Sequence, residues 1–289
     1  MSLLLHPDYL HNERLRARDI TIETSGRSAD IRVALFNIMP QAEEYEFMLL
    51  NRLGSSRLLV QPLFFRAEKH PYGSSNQHHL NRYYQPSPML EQQNPDAILL
   101  TGAPVEHLSP EEIHYQKEID ALMLYCRDSK TPLLGICWGG IAVARFLGVD
   151  SEVYSDKLSG VFHSGNLAPE HRLMKAFGKD FRCPQSRFAG LVEAEVIELA
   201  LKGIVRPLAA IPGYGTFLLE SNDGLFTAHL GHPEYLPERI VFEYRRDVLS
   251  NPAVRIVGFD PFNPVDCWSA ESDRFFSYWL EGVKERGAV

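Results

Sequence analysis

Apolar residues in the first half of the chain fall in short runs, and stretches with helical spacing separate one run from the next. Ile31-Arg-Val-Ala-Leu-Phe-Asn-Ile38 closes at Met39-Pro40 and predicts a buried strand. From Gln41 to Leu53, Tyr45, Met48, Leu49 and Leu53 recur at the helical period, and Gly54 follows where a helix stop is expected. Leu58 to Phe65, Asp96 to Gly102 and Pro132 to Cys137 predict three further strands. A helix from about Pro110 to Ser129 precedes the last of these, and small residues from Gly139 to Phe146 form a helix directly after it. Strands that alternate with helices predict an α/β fold with a mostly parallel sheet and helices on both faces.

The second half reads differently. Between Val153 and Ala228 the apolar runs are shorter, with turns at Pro212-Gly213 and Asn222-Asp-Gly224, which predicts antiparallel strands added to the same sheet. Pro237 to Leu249 has the pattern of a charged amphipathic helix, and Phe275 to Val283 gives a last apolar helical face. Residues 66–93 lack periodicity and predict a loop with room for a short helix. No repeat or low-complexity linker divides the chain, so residues 1–289 are read as one domain, with the polar residues 1–29 as an extension packed on it.

Composition narrows the function classes. A hydrophobic content of 45% with 23% charged residues builds a sizeable core, and a net charge of −8 argues against the basic surface that nucleic acid requires. Glu43, Glu44 and Glu46 read as a solvated helix face. Cys126, Cys137, Cys183 and Cys267 lack the paired spacing of a zinc site or a disulfide framework, which favours a reducing cytosol. The leucines before His6-Pro7 are too few for a signal or a membrane span, so a cytoplasmic protein is expected, without membrane partners. A homodimer is expected. His70, His78, His79 and His114 show no ligand spacing and are read as surface residues, with no metal site.

Two motifs carry the chemistry. Cys137 ends a strand, and Gly139-Gly140 let the chain turn at once into a helix, a geometry that exposes a nucleophile above a sheet. A helix N-terminus favours a thiolate and offers amides to an oxyanion. Taken alone, Cys137 reads equally well as a buried core cysteine. Far along the chain, Thr227-Ala-His-Leu-Gly-His232-Pro-Glu234 places a histidine and a carboxylate two residues apart after an apolar strand. Glu234 could fix one imidazole nitrogen and leave the other to act as base toward the thiol. Thr101-Gly102-Ala103-Pro104 is a strand-end turn whose backbone could supply an oxyanion donor opposite the amide of Trp138.

A cysteine elbow followed by a late His-Pro-Glu resembles the class I glutamine amidotransferase-like fold, a flavodoxin-like arrangement. The runs Asn37-Ile-Met-Pro40, Thr101-Gly-Ala-Pro104, Cys137-Trp138, Asp156-Lys-Leu-Ser-Gly-Val161, Ser186-Arg187, Gly231-His-Pro-Glu-Tyr235 and Arg246-Asp-Val248 more narrowly resemble the homoserine O-succinyltransferase and O-acetyltransferase family. They fall in family order from about residue 14 to the end. The resemblance implies that Cys137 takes an acyl group from a coenzyme A thioester in a ping-pong reaction, with His232 and Glu234 as base and orienting residue. It places Lys157, Ser186 and Arg246 around the acyl and amino-acid pockets, with Arg246 as a clamp on the substrate carboxylate. It also ties acyl choice to Glu106, whose carboxylate would repel a succinyl group, so that acetyl-CoA is the expected co-substrate, with no bound cofactor.

Departures from the family pattern accompany the matches. Gln41-Ala42 and Tyr45-Glu-Phe-Met48 stand where the family carries lysine and Thr-Glu-x-Gln, and Trp268-Ser-Ala-Glu271 replaces Trp-Arg-Ser-His. These changes open the acceptor to homoserine or to another hydroxy amino acid such as serine. Two other readings remain at this point: a glutaminase-type amide hydrolase, for which Trp138-Gly-Gly-Ile lacks the usual Gly-x-Gln, and a non-catalytic thiol sensor of the same fold.

Overall fold

The computed structural model describes residues 2–175, 177–252 and 254–287. Its elements are β1 (Ser2–Leu4), α1 (Asn12–Arg16), β2 (Thr21–Glu23), β3 (Ile31–Phe36), α2 (Ala42–Leu53), β4 (Leu59–Arg66), α3 (Gln77–Tyr83), β5 (Gln85–Pro86), α4 (Leu90–Gln93), β6 (Ala97–Leu100), α5 (Gln116–Ser129), β7 (Leu133–Ile136) and α6 (Trp138–Phe146). The second half adds β8 (Ser151–Asn166), β9 (Asp180–Leu191), α7 (Glu193–Leu201), β10 (Val205–Ile211), β11 (Gly215–Ser221), β12 (Phe226–His229), α8 (Pro237–Ser250) and α9 (Ser269–Gly287). One sheet takes in the strands in the order β2-β1-β4-β3-β6-β7-β12-β11-β10-β8-β9, with β5 on β4.

The parallel half follows the sequence pattern. β3, β4, β6 and β7 pair in parallel, and β6, β7 and β12 are buried along their whole length, as strands covered on both faces must be. β3 to β4 steps one way across the sheet and β6 to β7 the other. Right-handed crossovers in opposite directions put α2 and α5 on opposite faces. α9 packs with α2, and α6 with α5. The strand order thus reverses between β3 and β6, and the crevice beyond their carboxyl ends is where a ligand fits such a sheet.

Three expectations need correction. β12 is not simply another antiparallel strand: it pairs antiparallel with β11 but parallel with β7, so it closes the parallel half. Residues 1–29 supply β1 and β2 to the sheet edge, β1 pairing in parallel with β4. β8 and β9 are long, 16 and 12 residues, and pair with each other at the end of the sheet; none of the first seven residues of β8 is buried, so that stretch is not an apolar run in sequence. Gly54 does end α2, but at φ −69° it needs no left-handed freedom. A Cβ there would come 2.8 Å from Ile20, so close packing of the N-terminal segment demands glycine.

Candidate active site

Cys137 sits between β7 and α6 with φ 55° and ψ −118°, a backbone conformation that costs a non-glycine residue energy and turns its side chain up out of the sheet. Glycines make the turn possible. A Cβ on Gly135 would lie 2.2 Å from the Gly139 carbonyl oxygen, and one on Gly139 would lie 2.6 Å from that of Leu100. A Cβ on Gly140 would lie 2.8 Å from the His229 carbonyl oxygen. α6 is thereby pressed against β6 and β12, and the Cys137 amide donates to the His229 carbonyl at 2.8 Å. The strain is held in place from both sides.

β12 leads into the turn that carries His232 and Glu234. Imidazole Nδ1 of His232 lies 2.7 Å from Glu234 Oε1, which leaves the other ring nitrogen for the hydrogen bond to Cys137. The Tyr235 ring stacks on the imidazole at 4.0 Å, and the His232 amide donates to the Pro184 carbonyl at 2.8 Å. Burial alone would strip the proton from His232. The negative charges of Cys137 and Glu234 outweigh it and hold the imidazolium well above the ordinary histidine range. His229, three residues earlier and equally buried, is pushed down to about 3, because burial acts there with no carboxylate beside the ring, which meets the Gly231 carbonyl and packs against Phe217 and Phe275.

Cys137 and His232 lie at the floor of a cavity of about 360 Å³ beyond the carboxyl ends of the parallel strands, with Glu234 fully buried behind the imidazole. Ala103, Glu106, Lys157, Ser186 and Arg246 line its wall with Cys137 and His232. Gly102 touches the thiol from the side: a Cβ there would lie 2.9 Å from the Cys137 Cβ and 3.4 Å from Sγ. The amide of Trp138 is the first of α6 and has no acceptor within the helix, while its indole is buried edge-on to Tyr115. Residues from six separate parts of the chain thus converge on one cavity.

The polar wall is more densely paired than the sequence indicated. Glu243 of α8 accepts from Ser186 Oγ, from Tyr235 Oη at 2.7 Å and from Arg239 Nε at 3.1 Å, with Lys157 Nζ 3.8 Å away. Burial works against its charge, yet Arg239 and Lys157 hold its carboxyl down at about 2. Lys157 itself pairs with Asp247 at 2.6 Å. Arg246 is half exposed and its guanidinium rests on Asp247, 2.8 and 2.7 Å from one oxygen, so it faces the cavity already partnered.

Sequence reasoning missed four residues of this site. Arg239, Phe242 and Glu243 share one face of α8 with Arg246, at spacings of three, four and seven residues, a pattern present in the charged helix but read only as amphipathic. Tyr45 has the spacing of a core position of α2, yet its hydroxyl donates to Glu234 Oε1 and lies 3.4 Å from His232 Nδ1. Burial and the facing Glu234 raise the phenol well above its usual range, so it stays a donor.

Four further readings change. Glu46 is fully buried and not a solvated face, with Tyr9, Tyr84 and His79 on its carboxylate. His79 is likewise buried, and His70 is half-buried, stacked 5.6 Å from His114. Among the described residues, no group of His, Cys, Asp and Glu could hold a metal ion, and no helix is long and apolar enough to cross a membrane. Trp268 to Glu271 lie outside the cavity: Trp268 Nε1 and Arg52 both donate to the Tyr235 carbonyl, so this segment braces the His-Pro-Glu-Tyr turn from behind. Gln41, in contrast, lines the cavity.

Comparison with known proteins places this geometry. The family model described as homoserine O-succinyltransferase matches residues 4–286. A homoserine O-acetyltransferase of Geobacillus kaustophilus is 31% identical over 97% of this chain and 96% of its own. One from Streptococcus pneumoniae serotype 4 is 30% identical over 93% of this chain and 88% of its own. Among solved structures, a glutamine amidotransferase from Thermotoga maritima aligns with TM-score 0.60 at 15% identity over 89% of this chain and 99% of its own. A second glutamine amidotransferase, from Methylobacillus flagellatus, aligns with TM-score 0.56 at 13% identity over 87% of this chain and 94% of its own. The structural likeness extends to the fold.

Proposed function

The chain belongs to the homoserine O-succinyltransferase family of acyltransferases, and from that premise we propose that it moves an acetyl group from acetyl-CoA to the side-chain hydroxyl of homoserine or a close relative such as serine. The observation that carries this reading is the hydrogen-bonded series Glu234, His232, Cys137, whose last two members lie at the floor of a cavity that Glu106 also lines.

The thiolate of Cys137 attacks the thioester carbonyl carbon. Amides of Ala103 and Trp138 receive the oxyanion. Collapse breaks the carbon to CoA sulfur bond, the CoA thiolate takes the imidazolium proton, and an acetyl-Cys137 remains. The second half runs the same geometry with an alcohol. The acceptor hydroxyl gives its proton to His232 and attacks the acyl carbon, and Sγ departs as thiolate. Acylation removes the Cys137 charge, one of the two influences that keep His232 protonated, so the ring becomes a competent base when a base is needed. Glu106 supports acetyl over succinyl donors, because a second carboxylate entering the cavity would meet its charge. The Arg246 guanidinium supports an amino-acid acceptor, exchanging its Asp247 contact for the substrate carboxylate.

Mass spectrometry tests the reading. Acetyl-CoA without acceptor should add one acetyl group to Cys137, and a pool of hydroxy amino acids offered with acetyl-CoA and succinyl-CoA together should yield one O-acetyl product. An unmodified enzyme, or an O-succinyl product, would overturn the respective half of the proposal.

A further inference from the structure

A second concavity, of about 790 Å³, opens beside the reaction cavity and shares Gln41, Arg239 and Phe242 with it. The reaction cavity has room for an acyl group and a small amino acid. The bulk of a thioester donor must lie elsewhere, and the shared residues mark where the two spaces communicate.

The lining of the larger space has a definite chemistry. Arg14 and Arg18, four residues apart at α1 and the turn after it, face Phe47 of α2. The Arg14 guanidinium lies 3.8 Å from the Phe47 ring centroid, and that of Arg239 lies 5.3 Å from the Phe242 ring. Guanidiniums set over aromatic rings form a platform on which a purine can lie, and guanidiniums fit phosphate oxygens in pairs. Two carboxylates share the space: Glu44 sits 3.0 Å from Arg14 and Glu238 3.6 Å from Arg18. Both are more than half exposed, and surface ion pairs of this kind contribute little, so a phosphate can take the arginines while the carboxylates turn to water.

We propose that this groove seats the phosphorylated nucleotide end of the acyl-thioester donor, with Arg14 and Arg18 on its phosphates and the connecting arm passing between Gln41 and Phe242 toward Cys137. The proposal rests on the acyl-CoA reading of the active site.

The test compares acetyl-CoA with S-acetylpantetheine, which has the same thioester and arm but neither phosphates nor base. Arg14→Gln with Arg18→Gln should raise KM for acetyl-CoA about tenfold or more, the loss of charged hydrogen bonds to phosphate, and leave kcat/KM for S-acetylpantetheine unchanged. Glu44→Gln, which frees Arg14 of its carboxylate, should lower KM for acetyl-CoA. An equal change for both donors, or none for acetyl-CoA, overturns the groove. Calorimetric titration with free CoA separates this failure from that of the parent reading. If the wild type binds CoA, the double variant binds it at least tenfold more weakly and no acetyl group is transferred, the nucleotide site stands and the acyl-transfer reading falls. If the double variant keeps full CoA affinity, the site falls.

Discussion

Tyr45 and Glu46 are neighbours on α2 and reach into two clusters of the same composition. On one side Tyr45 meets Glu234 and His232; on the other Glu46 meets His79, Tyr9 and Tyr84, with His11 3.9 Å away. Each cluster is a buried carboxylate holding a histidine at 2.7 Å and accepting from tyrosine. They differ in what lies beyond the histidine. His232 opens on a cavity and a thiol, whereas none of the residues around Glu46 lines that cavity. Tyr9 and Tyr84 are kept protonated by burial and by the Glu46 charge, so their hydroxyls spend their protons on that carboxylate. The same three residue types therefore make a reactive site where a nucleophile and space are present, and a fastener where they are absent. The fastener joins the N-terminal segment and α3 to the helix that carries Tyr45.

Four experiments probe this contrast. The largest effect belongs to the nucleophile: Cys137→Ala should lower kcat by roughly four to six orders of magnitude, as removal of a nucleophile from a nucleophile and base unit does elsewhere, with the circular dichroism spectrum of the fold retained. Glu46→Gln should do the reverse. It weakens several buried charged hydrogen bonds at once, so chemical denaturation should show a loss of about 3 kcal/mol while kcat is retained in the folded fraction. A large loss of kcat would mean that the two clusters are coupled through α2.

Tyr45→Phe removes one hydrogen bond from Glu234 and should reduce kcat about tenfold, or roughly 1.4 kcal/mol, with KM for both substrates unchanged. If only stability moves, the hydroxyl serves packing and not the orientation of the base. The smallest effect is a titration shift. By NMR, the His232 ring should hold its proton well above the usual histidine range in the wild type and titrate lower in Cys137→Ala, since the thiolate is one cause of the rise. Identical titrations would show that the thiol does not face the ring.

The centre of the parallel half was legible because β6 and β7 are buried along their whole length and β3 and β4 nearly so, and such strands stand out as apolar runs. The full length of β8 was not, since none of its first seven residues is buried and most are polar, like those of a loop. Helix α7, with one buried residue, carried too little periodicity to be singled out. In the site, Cys137 and His232 were visible because each stands at the end of an apolar run with glycine or proline within two residues, a local constraint. Glu243 and Arg239 carry no such neighbour, and as charges on an amphipathic helix they look the same whether they face water or a cavity.

Sequence alone determined the strand and helix alternation, the cysteine elbow, the histidine with its carboxylate, and the family, all of which depend on residues close together in the chain or on matched order along it. Tertiary structure decided which acidic and aromatic residues are buried, and with what partners. It separated Tyr45 from Glu46, placed Gln41 in the cavity and Glu271 behind it, and brought Arg14 and Arg18 beside the route to Cys137. The reason is physical: the charge and hydrogen bonding of a side chain are set by what packs against it from distant segments, and periodicity reports only which way it points.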